Sequence, residues 1–200
     1  RGTNMRKFAM AAAFALLTGL VSTGLAAADH HEEKAEAPTR PDLAAFLFIY
    51  DDAAQKLQSL AEAIPAEKYA WRPAEGVRSI GEAFVHAGAS IYLIAGFAGA
   101  PLPEAAPKGV EGMLALEKSA DKKSVQALLG DTLAYGRKVA IAATPEMLDK
   151  PVDFFGNAID GRTIFLLLAA HLHEHLGQEI AYARSNGVTP PWSQQPAKSE

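Results

Sequence analysis

Apolar residues recur at helical spacing along four long stretches of the chain, each with its own start and stop signals. The first runs from about Pro41 to Ile64. Leu43, Phe46, Leu47, Tyr50, Ala54, Leu57 and Leu60 make one stripe there. Pro41 suits a first helical turn, where its missing N–H is no loss, and Pro65 closes the segment. After a loop from Ala66 to Arg78, Ser79-Ile80-Gly81-Glu82 has the form of a capping box, which predicts a second helix as far as about Phe97. A third helix is predicted over about Ser119 to Ala143, capped by Asp121 or Ser119 and closed by Pro145. A fourth starts at Gly161 or Thr163 and runs to Ser185, where Asn186-Gly187 is a stop signal. Between them, Ala98 to Lys118, with three prolines, reads as a connector, and Pro151 to Gly161 as a short hairpin or an irregular loop. Four amphipathic helices without an internal repeat predict an all-α fold, a four-helix bundle.

The first forty residues stand outside this pattern. Met5-Arg6-Lys7 is a short positive stretch, Phe8 to Leu25 is an apolar run, and Ala26-Ala27-Ala28 supplies the small residues of a cleavage site. Residues 1–28 therefore read as a secretory signal peptide, with Arg1 to Asn4 preceding the natural-looking start at Met5. An uncleaved membrane anchor is the alternative, although the run is near the lower length limit for a span. Residues 29–40 are polar and read as a disordered linker. Cleavage after Ala28 would expose Asp29-His30-His31, either a solvated tail or a square-planar chelate for copper or nickel. The bundle is expected over residues 41–192, with a polar tail at 193–200. The expected address is periplasmic or secreted.

Composition narrows the chemistry. The formal net charge is -4 and no basic run exceeds two residues, which argues against a nucleic-acid partner. The chain has no cysteine, so disulfides, thiolate metal sites and cysteine nucleophiles are excluded.

The remaining chemistry gathers in His171-Leu172-His173-Glu174-His175-Leu176-Gly177-Gln178. Residues four apart share a helix face, so His171 and His175 point the same way, with Ile164, Leu167, Leu168, Gln178 and Tyr182. His173 lies about 200° from His171 and faces elsewhere. An inward i,i+4 histidine pair is a two-ligand template for a divalent metal. The other histidine inside the predicted domain is His86, which shares a face with Ala83, Ser90, Leu93 and Phe97. Three histidines from two helices, with positions left for water or substrate, would make an open catalytic geometry. The plain alternative is that His86 is a hydrogen-bonded core residue and the pair a chance spacing. Neither a Glu-x-x-His pair nor a His-Glu-x-x-His motif is present. Glu174 flanks the site face, as a possible base or a solvated carboxylate.

Two motifs in order carry a resemblance. Tyr69-x-Trp71-Arg72-Pro73-x-x-Gly76-x-x-Ser79-Ile80-Gly81-Glu82 is followed by His86. His171-x-x-x-His175-x-Gly177-Gln178 is followed by Tyr182-x-Arg184-x-x-Gly187-Val188-x-Pro190-Pro191. Over roughly Pro41 to Trp192 the chain resembles the DinB/YfiT-like family. The resemblance implies up-down-down-up connectivity and a metal, most often nickel or zinc, held by three histidines. Carried over to this sequence, these are His86, His171 and His175, with Gln178 orienting a ligand imidazole. Leu176 departs from the family pattern, where a basic residue is common.

The family implies thiol-dependent transferases and isomerases that use bacillithiol or mycothiol, or hydrolysis by metal-bound water. The expected partner is a small-molecule substrate. Those thiols are cytosolic, however, so a periplasmic metal-binding or stress-related protein without turnover is the second expectation. A homodimer is the third, because Leu166, Leu172, Leu176 and Ile180 make the fourth helix apolar beyond one face.

Overall fold

The computed structural model describes residues 40–194. The expected signal peptide, the linker with Asp29-His30-His31 and most of the polar tail lie outside the described residues.

Four long helices carry the fold: α1 (Pro41–Ala63), α2 (Ile80–Phe97), α4 (Lys122–Ala142) and α6 (Gly161–Ser185). Two shorter ones, α3 (Gly109–Leu116) and α5 (Pro145–Asp149), and a hairpin of β1 (Pro151–Phe154) with β2 (Asn157–Asp160) fill the connections. Each of α1 and α2 packs on both α4 and α6. Directions follow from side-chain pairs. Arg40 Nη1, before α1, donates to the Ala143 carbonyl after α4 at 2.6 Å, and Lys122 Nζ at the start of α4 donates to the Ile64 carbonyl after α1 at 2.9 Å, so α4 runs antiparallel to α1. Phe46 packs edge-on against Phe165, and His173 reaches the Ile49 carbonyl, so α6 runs parallel to α1. Trp71, before α2, packs on Tyr182 near the end of α6, whereas Phe97 at the other end of α2 packs on Phe154, before α6 begins. Thus α2 and α6 are antiparallel, and the order is up, down, down, up.

The caps act as the local sequence dictates. Glu82 N–H donates to Ser79 Oγ at 3.2 Å and Ser79 N–H to Glu82 Oε2 at 2.7 Å, completing the capping box. Asp121 accepts from the Lys123 and Ser124 amides, and Asp160 from Thr163, so α4 and α6 each start on a carboxylate that satisfies otherwise unpaired amides. Helix α6 ends with Gly187 at φ 72°, and the Val188 amide donates back to the Ala183 carbonyl.

The core is built from Tyr50, Leu57, Leu60, Phe84, Ile91, Leu129, Ile164, Leu168 and Leu172. Helix α2 is the innermost element. It is long and apolar enough to cross a membrane, yet 72% of it is buried inside this bundle. Its small residues set the approach of its neighbours. A Cβ at Gly81 would strike the carbonyl of Ala120, and one at Gly136 of α4 would strike the Tyr50 hydroxyl.

Three expectations need correction. The connector 98–118 contains α3, a two-turn helix that buries only Met113 and is too short to show helical periodicity. Helix α4 does stop before Pro145, as expected, but that proline also opens α5, which was not foreseen. Thr144 caps it, and proline suits the first turn. The apolar excess on α6 does not form an outward stripe, because Leu172 and Leu176 belong to the core; of the four residues only Leu166, 68% exposed, faces solvent fully. The segment 151–160 is a hairpin. Its turn, Phe155-Gly156, has φ 53° and 85°, the two positive values that a tight hairpin turn requires.

Candidate metal centre

The start of α2 fixes one side of the centre. Arg72 Nη1 donates to the Val77 carbonyl at 2.7 Å and Nη2 to Glu82 at 2.9 Å, while the Ile80 and Gly81 amides donate back to the Trp71 and Tyr69 carbonyls. The loop is thereby stapled onto the first turn of α2, and His86 follows one and a half turns later. Helix α6, antiparallel to α2, brings His171 and His175 opposite it. One ring nitrogen from each of the three histidines lies within 4.8 Å of the others. The ring centroids are 5.3 Å apart for His86–His171, 4.7 Å for His86–His175 and 4.4 Å for His171–His175.

The outer nitrogens have partners. His86 Nδ1–H donates to Glu117 Oε1 at 3.2 Å. His175 Nδ1–H donates to Gln178 Oε1 at 2.8 Å, and Gln178 Nε2 donates to the Tyr182 hydroxyl at 2.9 Å. These bonds hold both rings with Nε2 as the free lone pair, the tautomer a metal ligand needs. His171 Nδ1 faces Glu174 at 3.8 Å, and its Nε2 is buried without a hydrogen-bond partner. A buried ring nitrogen is costly to leave unpaired. Three imidazoles converging on one point, with one nitrogen orphaned, fit a divalent cation such as zinc or nickel, and a three-histidine set leaves further coordination positions open.

Electrostatics agree with that fit. Burial, then the charges of Arg78 and His175, lowers the His86 pKa to about 4. Burial, then His175, His86 and Arg78, lowers that of His171 to about 3. Both rings are therefore neutral at physiological pH, ready to ligate without first releasing a proton.

His173 points away, and its Nε2–H donates to the Ile49 carbonyl at 3.1 Å on the α1 side. The Glu174 side chain is 75% exposed. A cavity of about 200 Å³ lies elsewhere, between α1, α4 and α6, against Leu43, Phe46, Leu148 and Phe165. Its lining is apolar and the charges at its rim are already matched, Arg162 lying 3.0 Å from Asp149 and 3.6 Å from Asp42. The convergence of ligand atoms, not cavity size, marks the site.

Two residues that the sequence did not reveal complete it. Arg78 Nε donates to both Glu117 oxygens at 3.0 Å, so Arg78, Glu117 and His86 form one chain of contacts. Glu117 comes from a 3₁₀ turn after α3, in the stretch read as a connector, and no spacing rule links it to His86.

The comparisons with known proteins agree with this architecture. The family model of the DinB superfamily matches residues 49–178, a span that holds all three histidines. This chain belongs to the DinB superfamily. No curated protein matches it. Among solved structures, it is similar to a DinB-like protein from Bacillus cereus ATCC 10987, with a TM-score of 0.59 and 18% identity over 73% of this chain and 93% of that one. It is also similar to a DinB-like protein (YjoA) from Bacillus subtilis, with a TM-score of 0.49 and 24% identity over 76% and 99%. The first likeness supports the shared fold.

Proposed function

We propose that this superfamily member is a divalent-metal-dependent enzyme in which His86, His171 and His175 hold nickel or zinc. The observation that carries the reading is the orphaned His171 Nε2 beside two imidazoles whose outer nitrogens are already engaged. A metal held there would lower the pKa of a thiol or water brought to it, which suits thiol-dependent group transfer or hydrolysis. Glu117 and Gln178 would keep their imidazoles in the ligating tautomer, and the core around α2 would exclude water from the back of the site.

One observation favours a second reading, a metal-binding protein without turnover. Glu117 is committed to Arg78 and His86, while Glu174 is largely solvated. Neither carboxylate is placed as a free general base. Export by a leader cleaved after Ala28, and homodimerisation through an exposed face that includes Leu166, belong to the same proposal. The mass and solution size of the exported protein test them. The functional test has two stages. Untagged protein is assayed for bound metal by mass spectrometry, and the loaded protein is then screened with small thiols and electrophiles. Metal with turnover supports the enzyme; metal without turnover supports the binder; absence of nickel or zinc uptake overturns both.

A further inference from the structure

The positive charge beside the three histidines touches them only through Glu117. Arg78 lies immediately before the Ser79 cap of α2, on the loop that Arg72 staples through Val77 and Glu82. Its Nε is pinned by both oxygens of Glu117, and Glu117 in turn touches His86, so the guanidinium lies two contacts from a ligand ring. The side chain is 35% exposed, while Glu117 beneath it is 12% exposed. Among the described residues neither Nη atom of Arg78 makes a hydrogen bond, which leaves the two-pronged end of the guanidinium for something outside the protein. Its charge also reaches His86 and His171, the same two rings whose protonated forms it disfavours.

We propose that Arg78 is the anion-recognition residue of this centre, and that the substrate is a small molecule carrying a carboxylate or similar oxyanion alongside the group that approaches the histidines. The inference rests on the metal reading above. The physical grounds are threefold. A planar guanidinium with free Nη atoms matches a carboxylate in two-pronged geometry. The pairing of Nε to Glu117 fixes the guanidinium before the substrate arrives, which lowers the ordering cost of binding. Glu117 cancels the net charge of Arg78 but cannot occupy its Nη face, so local neutrality and a directed donor pair coexist.

The test uses cobalt-loaded full-length protein and two thiols of matched size, 3-mercaptopropionate and 3-mercapto-1-propanol, followed by the cobalt absorption band. The carboxylate thiol is expected to bind roughly ten-fold or more tightly than the alcohol. Arg78→Gln should bring the two within about three-fold while cobalt stoichiometry is retained. Should Arg78→Gln not fold, Arg78→Lys decides, because it keeps the charge but loses the fork and should at least halve the preference. Equal affinities in the unaltered protein overturn the proposal, and so does a preference that substitution of Arg78 leaves undiminished. Failure to take up cobalt overturns the metal reading and this inference with it, whereas uptake without a charge preference overturns the inference alone.

Discussion

His175 and Glu179 sit one turn apart on the same side of α6, both buried and both ionisable, and they have opposite surroundings. His175 is braced by Gln178 and Tyr182 and faces two other imidazoles. Glu179 is fully buried and neither of its oxygens has a partner. A charge on Glu179 would be felt by Tyr69, whose hydroxyl donates to the Ala61 carbonyl at 2.5 Å. Burial raises the Glu179 carboxyl well above its usual range and so favours its neutral form. Burial of a polar group therefore does not by itself make a site. What distinguishes the histidine turn is convergence: several groups with one shared vacant direction and their other atoms already occupied.

That contrast can be broken by substitution. The largest effect is expected at His171. His171→Ala removes the ligand with the orphaned nitrogen and should abolish metal retention through dialysis, measured by mass spectrometry. Next comes Glu117→Gln, which keeps the shape but weakens the brace on His86. Metal affinity should fall about 10–100-fold, read by competition with a chromophoric chelator. On the other turn, Glu179→Met replaces two unpartnered oxygens with an apolar chain of similar length. It should stabilise the metal-free protein by about 1–3 kcal/mol in urea unfolding, without altering metal content. A loss of stability there would mean that Glu179 is held by groups such as buried water.

The two turns also predict opposite responses to pH in the metal-free protein. His86 and His171 have folded-state values near 4 and 3, below their ordinary 6.5. The unfolded chain takes up their protons first, so their contribution is present above pH 6.5 and is lost as pH falls towards those folded values. Glu179 is shifted upward, so its contribution is present below its ordinary 4.5 and declines as pH rises from there. Thermal unfolding should show a fall in Tm between pH 6.5 and 4 that is shallower in a His86→Leu, His171→Leu double variant. Glu179 opposes that fall between pH 4.5 and 6.5, so Glu179→Met should make it steeper. The smallest effect is expected for His173→Ala, which should leave metal content unchanged because that ring serves the Ile49 carbonyl.

What the sequence made legible follows the reach of its local rules. Helical spacing separates His173 from His171 and His175, because about 3.6 residues per turn leave no other arrangement. The capping box and the Asp121 cap were readable because each acts within three residues. Spacing also places Glu179 on the His175 side, but it cannot say whether a buried carboxylate finds a partner. Glu117 was out of reach, since it contacts His86 across 31 residues through a short helix with little periodicity of its own. The family motifs pointed to His86 where spacing alone left it ambiguous. The geometry that joins it to the other two comes from the antiparallel packing of α2 on α6.

The central claim is that three histidines from two helices act as one metal site, and His86 is the member that decides it. The direct test is the metal content of untagged protein after exposure to zinc or nickel and exhaustive dialysis, with and without His86→Ala. The account predicts a single ion per chain in the unaltered protein and none retained in the variant. The same metal content in both would contradict it.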